Sequence, residues 1–145
     1  MPGIFKYKCS NCSFALQTGW GYYFYVENDK GERIPCYHPA ERWCVAEVLG
    51  KKASLKLIRE RTGFNSFCLC LDCLHQFKAD LGEVGWSPYE SSFRGHIARI
   101  KQEKDKRECP SCYSKNVKTE LEMVGENCPK CKTGVIKEKW TGNMS

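Results

Sequence analysis

Apolar and polar positions change rhythm several times along the chain. Between residues 20 and 36, aromatics crowd at Trp20, Tyr22, Tyr23, Phe24 and Tyr25, and the polar run Asn28-Asp29-Lys30-Gly31 then breaks the pattern before a return to Cys36. This predicts a β-hairpin, with Gly31 supplying a positive backbone angle in the loop. Residues 40–49 and 53–61 read as two helices interrupted near Gly50, with Thr62-Gly63 as the stop. In the second helix Leu55 and Ile58 mark an apolar edge, while Lys52, Lys56 and Arg59 recur at i, i+4 and i+7 on another face. Residues 67–79 predict a cysteine-bearing turn running into a short helix, and 82–90, with Gly82, Gly85 and Pro88, predict a loop. Ser91 or Ser92 is then placed to cap a helix over 93–106 with Phe93, Ile97 and Ile100 as its apolar stripe and Arg94, Arg99 and Lys101 on its other faces. The remaining chain offers short alternating stretches at 115–123 and 134–140.

Cysteine changes this picture most: there are 11 among 145 residues. No apolar run approaches the roughly 20 residues that span a bilayer, and the first residues lack the apolar stretch of a secretory signal. The expected compartment is the cytoplasm, where thiols stay reduced, and cysteines at this density then point to metal rather than disulfides. Cys109-Pro110-Ser111-Cys112 and Cys128-Pro129-Lys130-Cys131 are separated by 15 residues. That is the spacing at which two Cys-x-x-Cys turns deliver four thiolates to one tetrahedral zinc ion. Cys9-Ser10-Asn11-Cys12 and Cys70-Leu71-Asp72-Cys73 stand 57 residues apart; counting ligands pairs them in a second zinc site, with a redox Cys-x-x-Cys as the alternative. Cys36, His38, Cys44 and Cys68 offer an irregularly spaced third set, against which stands the reading that such cysteines are small buried hydrophobes.

The segment from 107 to 141, with its paired Cys-x-x-Cys turns, resembles the zinc-ribbon superfamily. The resemblance implies a three-stranded β ribbon around a structural ion and says little about activity. Ribbon turns often carry Gly directly after the second cysteine, where this chain has Tyr113 and Lys132. The expected architecture is therefore a small metal-stapled α+β protein in three consecutive parts. Residues 1–81 form an N-terminal zinc-knuckle unit with an inserted hairpin and helices, 82–106 a linker and basic helix, and 107–145 a C-terminal zinc ribbon that folds around its own ion.

Charge narrows the function classes. The formal net charge is +6, but each four-thiolate site with a divalent ion carries −2, so two sites leave about +2. Any affinity for a polyanion must then be local, and Lys52, Lys56, Arg59, Arg94, Arg99 and Lys101 are the candidates. No His-Glu-x-x-His, phosphate-binding loop, dinucleotide fingerprint or deaminase motif occurs, so no catalytic residue is proposed. The leading expectation is a zinc-binding accessory protein contacting nucleic acid or a nucleoprotein complex. A protein–protein adaptor comes second, and a metal-handling or redox protein third.

Overall fold

The two ends of the chain fold together. In a computed structural model, which describes residues 3–82, 84–85, 88–89, 98–99 and 103–144, the elements in chain order are β1 (Gly3–Cys9), β2 (Tyr22–Glu27), β3 (Arg33–Pro35), α1 (Glu41–Leu49), α2 (Leu55–Arg61), β4 (Thr62–Cys70), β5 (Gln76–Ala79), β6 (Val84–Gly85), β7 (Ala98–Arg99), β8 (Val117–Thr119), α3 (Glu120–Met123) and β9 (Ile136–Met144). They belong to two compact units: Met1–Tyr22 with Ser66–Ala79 and Lys106–Ser145, and Tyr23–Asn65 with Asp80–Asp105. The small α+β class expected from the sequence is what forms. The consecutive division 1–81, 82–106 and 107–145 is not followed, because pairing of β1 with β9 puts the first and last strands in one unit.

In the first unit, β1 alternates strictly: Tyr7 and Cys9 are buried while Lys6 and Lys8 are exposed. Its partners are β9, in antiparallel register with Tyr7 opposite Glu138 and Cys9 opposite Ile136, and the segment after it, through Cys9 N–H to the Phe14 carbonyl (2.9 Å) and Leu16 N–H to the Tyr7 carbonyl (2.8 Å). Tyr7, Phe14, Leu16, Leu69, Met123 and Ile136 gather with Cys9 and Cys128 in one core. Full burial of such side chains is worth about 1.5–3 kcal/mol each. The C-terminal half of β4 lies between β5, with Cys68 opposite Phe77, and β8, with Cys70 opposite Val117. Gly21, at φ +88°, has no room for a side chain, since a Cβ would come within 2.7 Å of Leu121.

The second unit holds the expected hairpin. Val26 of β2 pairs with Ile34 of β3, Gly31 has φ +79°, and Asn28 Oδ1 accepts from the N–H groups of Lys30 and Glu32, each at 2.9 Å. The N-terminal half of β4 extends this sheet in the order β3-β2-β4. Ser54 Oγ caps α2 by accepting from Leu57 N–H at 3.1 Å, whereas α1 starts at Ala40 with no side-chain cap. A polar network fixes the unit's interior. Tyr25 donates its hydroxyl to buried Asp80 (2.6 Å), and Arg33 holds Asp105 through two bonds of 2.5 and 2.9 Å. Asp105 Oδ2 in turn accepts from Asp80 N–H at 2.7 Å.

Several expectations are corrected. Leu74 adopts φ +64° and Cys70 N–H bonds the His75 carbonyl at 2.9 Å, so residues 67–79 reverse into a strand pair rather than entering a helix. The alternation expected over 115–123 ends at Thr119, where a capping box with Glu122 starts α3. Residues 98–99 of the expected helix 93–106 pair as β7 with β6. Residues 103–106 are also non-helical, because Arg33 holds Asp105 and Lys104 donates to the carbonyls of Glu60 (2.9 Å) and Thr62 (3.0 Å); the rest of that helix lies outside the described residues. Lys52 precedes α2 rather than riding on it, and Leu55 is exposed, with Leu57 and Ile58 the half-buried pair. No three-stranded ribbon forms within 107–144 among the described residues, because β8 pairs with β4 and β9 with β1.

Glu120, 1% exposed, has neither carboxyl oxygen hydrogen-bonded, and burial pushes its pKa up to about 8. Below its ordinary value both folded and unfolded chains carry the proton. Above it the unfolded chain ionises first, so stability falls as pH rises toward 8, by up to about 1.4 kcal/mol per pH unit. Glu120→Gln is therefore expected to raise the denaturation midpoint at pH 8, to change it far less at pH 5.5, and to flatten the slope between; an equal change at both values would show that Glu120 does not titrate in this window.

Candidate metal centres

Each Cys-x-x-Cys turn is a short hairpin closed by its own backbone. Cys9 N–H bonds the Phe14 carbonyl, Cys70 the His75 carbonyl, Cys109 the Ser114 carbonyl and Cys128 the Gly134 carbonyl, at 2.8–2.9 Å. In each turn the first cysteine is buried and the second more exposed, so every pair of thiols faces the edge of the core. Which turns meet is decided by strand register. Cys9 ends β1, opposite Ile136 where β9 begins, and the 128–131 turn directly precedes β9. Cys9 and Cys12 therefore meet Cys131 and Cys128, with Sγ separations of 3.6 and 3.7 Å. Cys70 ends β4 opposite Val117 of β8, which the 109–112 turn precedes. Cys70 and Cys73 accordingly meet Cys112 and Cys109, at 3.5 and 3.6 Å.

The two sets, Cys9/Cys12/Cys128/Cys131 and Cys70/Cys73/Cys109/Cys112, each place four sulfurs within 4.8 Å of one another and could hold a metal ion. A tetrahedron with sulfur at about 2.3 Å from its centre has edges of about 3.8 Å, close to these separations. Backbone N–H groups aim at the sulfurs: those of Asn11 and Cys12 at Cys9, both 3.3 Å, and those of Ser111 and Cys112 at Cys109, 3.4 and 3.5 Å. The Thr133 hydroxyl and the N–H groups of Gly134 and Thr133 pull the Cys131 thiol down to about 6. At Cys12 the Phe14 N–H favours the thiolate, yet burial and the three neighbouring thiols push it up to about 11. One thiol thus ionises readily while its neighbour resists a second negative charge, and a bound cation removes that resistance.

A polar clasp repeats at both sets. The third residue of one turn reaches the second residue beyond the partner turn: Asn11 Nδ2 donates to Thr133 Oγ1 at 2.7 Å, and Ser114 Oγ donates to Asp72, which also accepts from Asn116 Nδ2 at 3.3 Å. Tyr113 and Lys132, where ribbons often carry Gly, stand at φ +61° and +65°, so the backbone takes the left-handed form without glycine. Gly134 is irreplaceable, because a Cβ there would overlap Cys9 Sγ.

All eight cysteines expected as ligands lie in these sets, but the expected pairing is corrected. Cys109/Cys112 joins Cys70/Cys73 rather than Cys128/Cys131, which joins Cys9/Cys12. The third set does not assemble. Cys36 and Cys44 are together, His38 Nδ1 lies 2.8 Å from Glu41 Oε1, and Cys68 Sγ bonds the Ser66 carbonyl at 3.4 Å within the first unit. Among the basic candidates Lys52, Lys56 and Arg59 are exposed, Arg99 lies on β7, and Arg94 and Lys101 fall outside the described residues. No helix among the described residues is long and apolar enough to cross a membrane. What the fold and the sites define is a small α+β protein with two four-cysteine clusters able to hold metal. No protein-family model matches the chain, nor does any curated protein or solved structure.

Nested pairing has a direct consequence for metal content. Cys128→Ser is expected to release the same single equivalent as Cys9→Ser, and the double variant no more than either alone. Cys109→Ser is expected to release the other equivalent. Metal analysis of the purified variants reads this; loss of one shared equivalent from Cys109→Ser and Cys128→Ser would restore the pairing by sequence proximity.

Proposed function

We propose that the chain is a zinc-binding protein whose two ions are structural and which presents a basic β-ribbon to nucleic acid. The zinc reading rests on closed four-thiolate sets wedged against the core, with no position left open for a substrate. Each set is built from two Cys-x-x-Cys turns, a ligand arrangement that suits a structural zinc ion.

The nucleic-acid reading is carried by four lysines. In the β1–β9 pair, Lys6 lies directly opposite Lys139 and Lys8 directly opposite Lys137. All four are exposed, and directly opposed residues share one face of a sheet. The other face carries Tyr7, Cys9 and Ile136 into the core. Like charges directly opposite each other are destabilising, and a polyanion laid along this face relieves that repulsion. In the sequence the face shows as alternation, in Lys6-Tyr7-Lys8 and Lys137-Glu138-Lys139. Lys56 and Arg59, exposed on α2 with Lys52 before it, form a second basic surface in the other unit.

Four phosphate contacts would give log affinity against log salt a slope of about −3.6 on duplex, or about −2.8 on a single strand. Lys137→Glu/Lys139→Glu is expected to weaken binding by at least tenfold at low salt and to reduce the slope by about half, with both equivalents of metal retained. Lys56→Glu/Arg59→Glu measures the contribution of α2 separately. Flat titrations of the unaltered chain against single and double strands at low salt, with a protein partner that co-purifies after nuclease treatment, would replace this reading with a protein–protein adaptor.

A further inference from the structure

Three cysteines lie outside the metal sets, and two of them face each other. Cys36 Sγ is 2.7 Å from Cys44 Sγ, closer than any of the 3.5–3.7 Å contacts inside the metal clusters. Both backbones are pinned: Cys36 N–H bonds the Phe24 carbonyl at 2.8 Å, at the open end of the hairpin, and Cys44 N–H bonds the Ala40 carbonyl at 2.9 Å, in the first turn of α1. The competing thiol bonds are long, 3.6 Å from Cys36 to the Ile34 carbonyl and 3.7 Å from Cys44 to the Pro35 carbonyl.

Metal does not account for this pair. Nδ1 of the nearby His38 is engaged by Glu41 at 2.8 Å, and among the described residues the groups of three or more metal-ligating side chains are the two cysteine tetrads. We propose that Cys36 and Cys44 are a reversible dithiol–disulfide couple, oxidised by a hydroperoxide, that ties the first turn of α1 to the end of β3. Cys36 is buried and Cys44 half-buried, so Cys44 meets the oxidant. Burial, the Cys44 thiol and the Glu41 carboxylate push the Cys36 thiol up, which keeps it protonated until the second step.

The chemistry balances with hydrogen peroxide as the hydroperoxide. The Cys44 thiolate attacks one peroxide oxygen and the O–O bond breaks. Cys44 becomes the sulfenic acid, and the departing hydroxide leaves as water with the proton Cys44 gave up. The Cys36 sulfur then attacks the Cys44 sulfur, the S–S bond forms, and the S–O bond breaks with loss of hydroxide, which leaves as water with the Cys36 proton. Two thiols are oxidised by two electrons and one peroxide is reduced to two waters; a small dithiol reverses the change. The disulfide would supply what α1 lacks: this helix begins without a side-chain cap, and a covalent tie in its first turn would fix it. Tyr37 and Trp43, 71% and 67% exposed, sit next to the two cysteines in sequence, on the segment being tied.

The test uses the full chain with its metal bound. After brief exposure to hydrogen peroxide the protein is denatured with chelator and alkylating agent, cut with trypsin and mapped by mass. Cleavage after Arg42 separates the two cysteines, so the bond is read as two peptides held together, 2 Da lighter than the sum of the reduced peptides. The expected result is that link, reversed by dithiothreitol, with metal content unchanged and α1 amides exchanging more slowly in the oxidised form. Cys44→Ser is expected to abolish the link and leave Cys36 fully alkylated; should that variant not fold, the map of the unaltered chain decides alone. Full alkylation of both cysteines after peroxide, oxidation only together with metal release, or loss of a third metal equivalent in Cys36→Ser would each overturn the proposal.

Discussion

Everything in the first unit depends on cysteine turns meeting across long stretches of chain. The outer set joins residues 9–12 to 128–131, and the inner set, nested within it, joins 70–73 to 109–112. A crosslink acts most strongly on the unfolded chain when the loop it closes is long. Nesting makes the outer site easier to complete, because closing the inner loop shortens the free chain that the outer site must close. The local hairpins form from their own sequences; bringing the turns together is the costly step, and it is the strand pairing that places them within reach of one another.

The physical split between local and non-local also explains what could be read from the sequence. The Cys-x-x-Cys turns, the hairpin around Gly31, the break at Gly50 and the stop at Thr62 are encoded within a few residues, and they are where the sequence placed them. Which turns meet is not encoded locally. It follows from Cys9 lying opposite Ile136 and Cys70 opposite Val117, registers that spacing cannot reveal, so the nearer partner in sequence was the wrong one. Residues 103–106 fail as a helix for the same reason. Their pattern suits one, but Arg33, reaching Asp105 from far along the chain, and the carbonyls held by Lys104 outweigh local preference.

The second unit is built on a different principle, with no metal set of its own among the described residues. Its interior is organised by charge and hydrogen bonding: Asp105 satisfies Arg33 and the Asp80 backbone together, and Asp80 in turn receives Tyr25. Such a network is stable only when complete. Gly63 is part of it by omission, since a Cβ there would stand 2.5 Å from Asp80 Oδ2 and 2.7 Å from the Tyr25 hydroxyl. Charged groups that look like surface residues in the sequence thus frame this unit, while Lys52, Lys56 and Arg59 are among the charges it exposes.

The outer metal set and the lysine face are mechanically one feature. β1 and β9 carry the four lysines along one side, and the cysteine turns of the outer set sit at the end where β1 stops and β9 starts. A slip of one residue in the pairing of these strands would turn Lys6 and Lys8 away from Lys137 and Lys139 and bring Tyr7 and Cys9 out of the core. The four-cysteine cluster tolerates no such slip, because Cys9 would leave the other three sulfurs. The site that looks purely structural therefore sets the register on which the basic face depends. A chain whose outer cysteine cluster came apart could keep every lysine and still lose the alignment that brings them opposite one another.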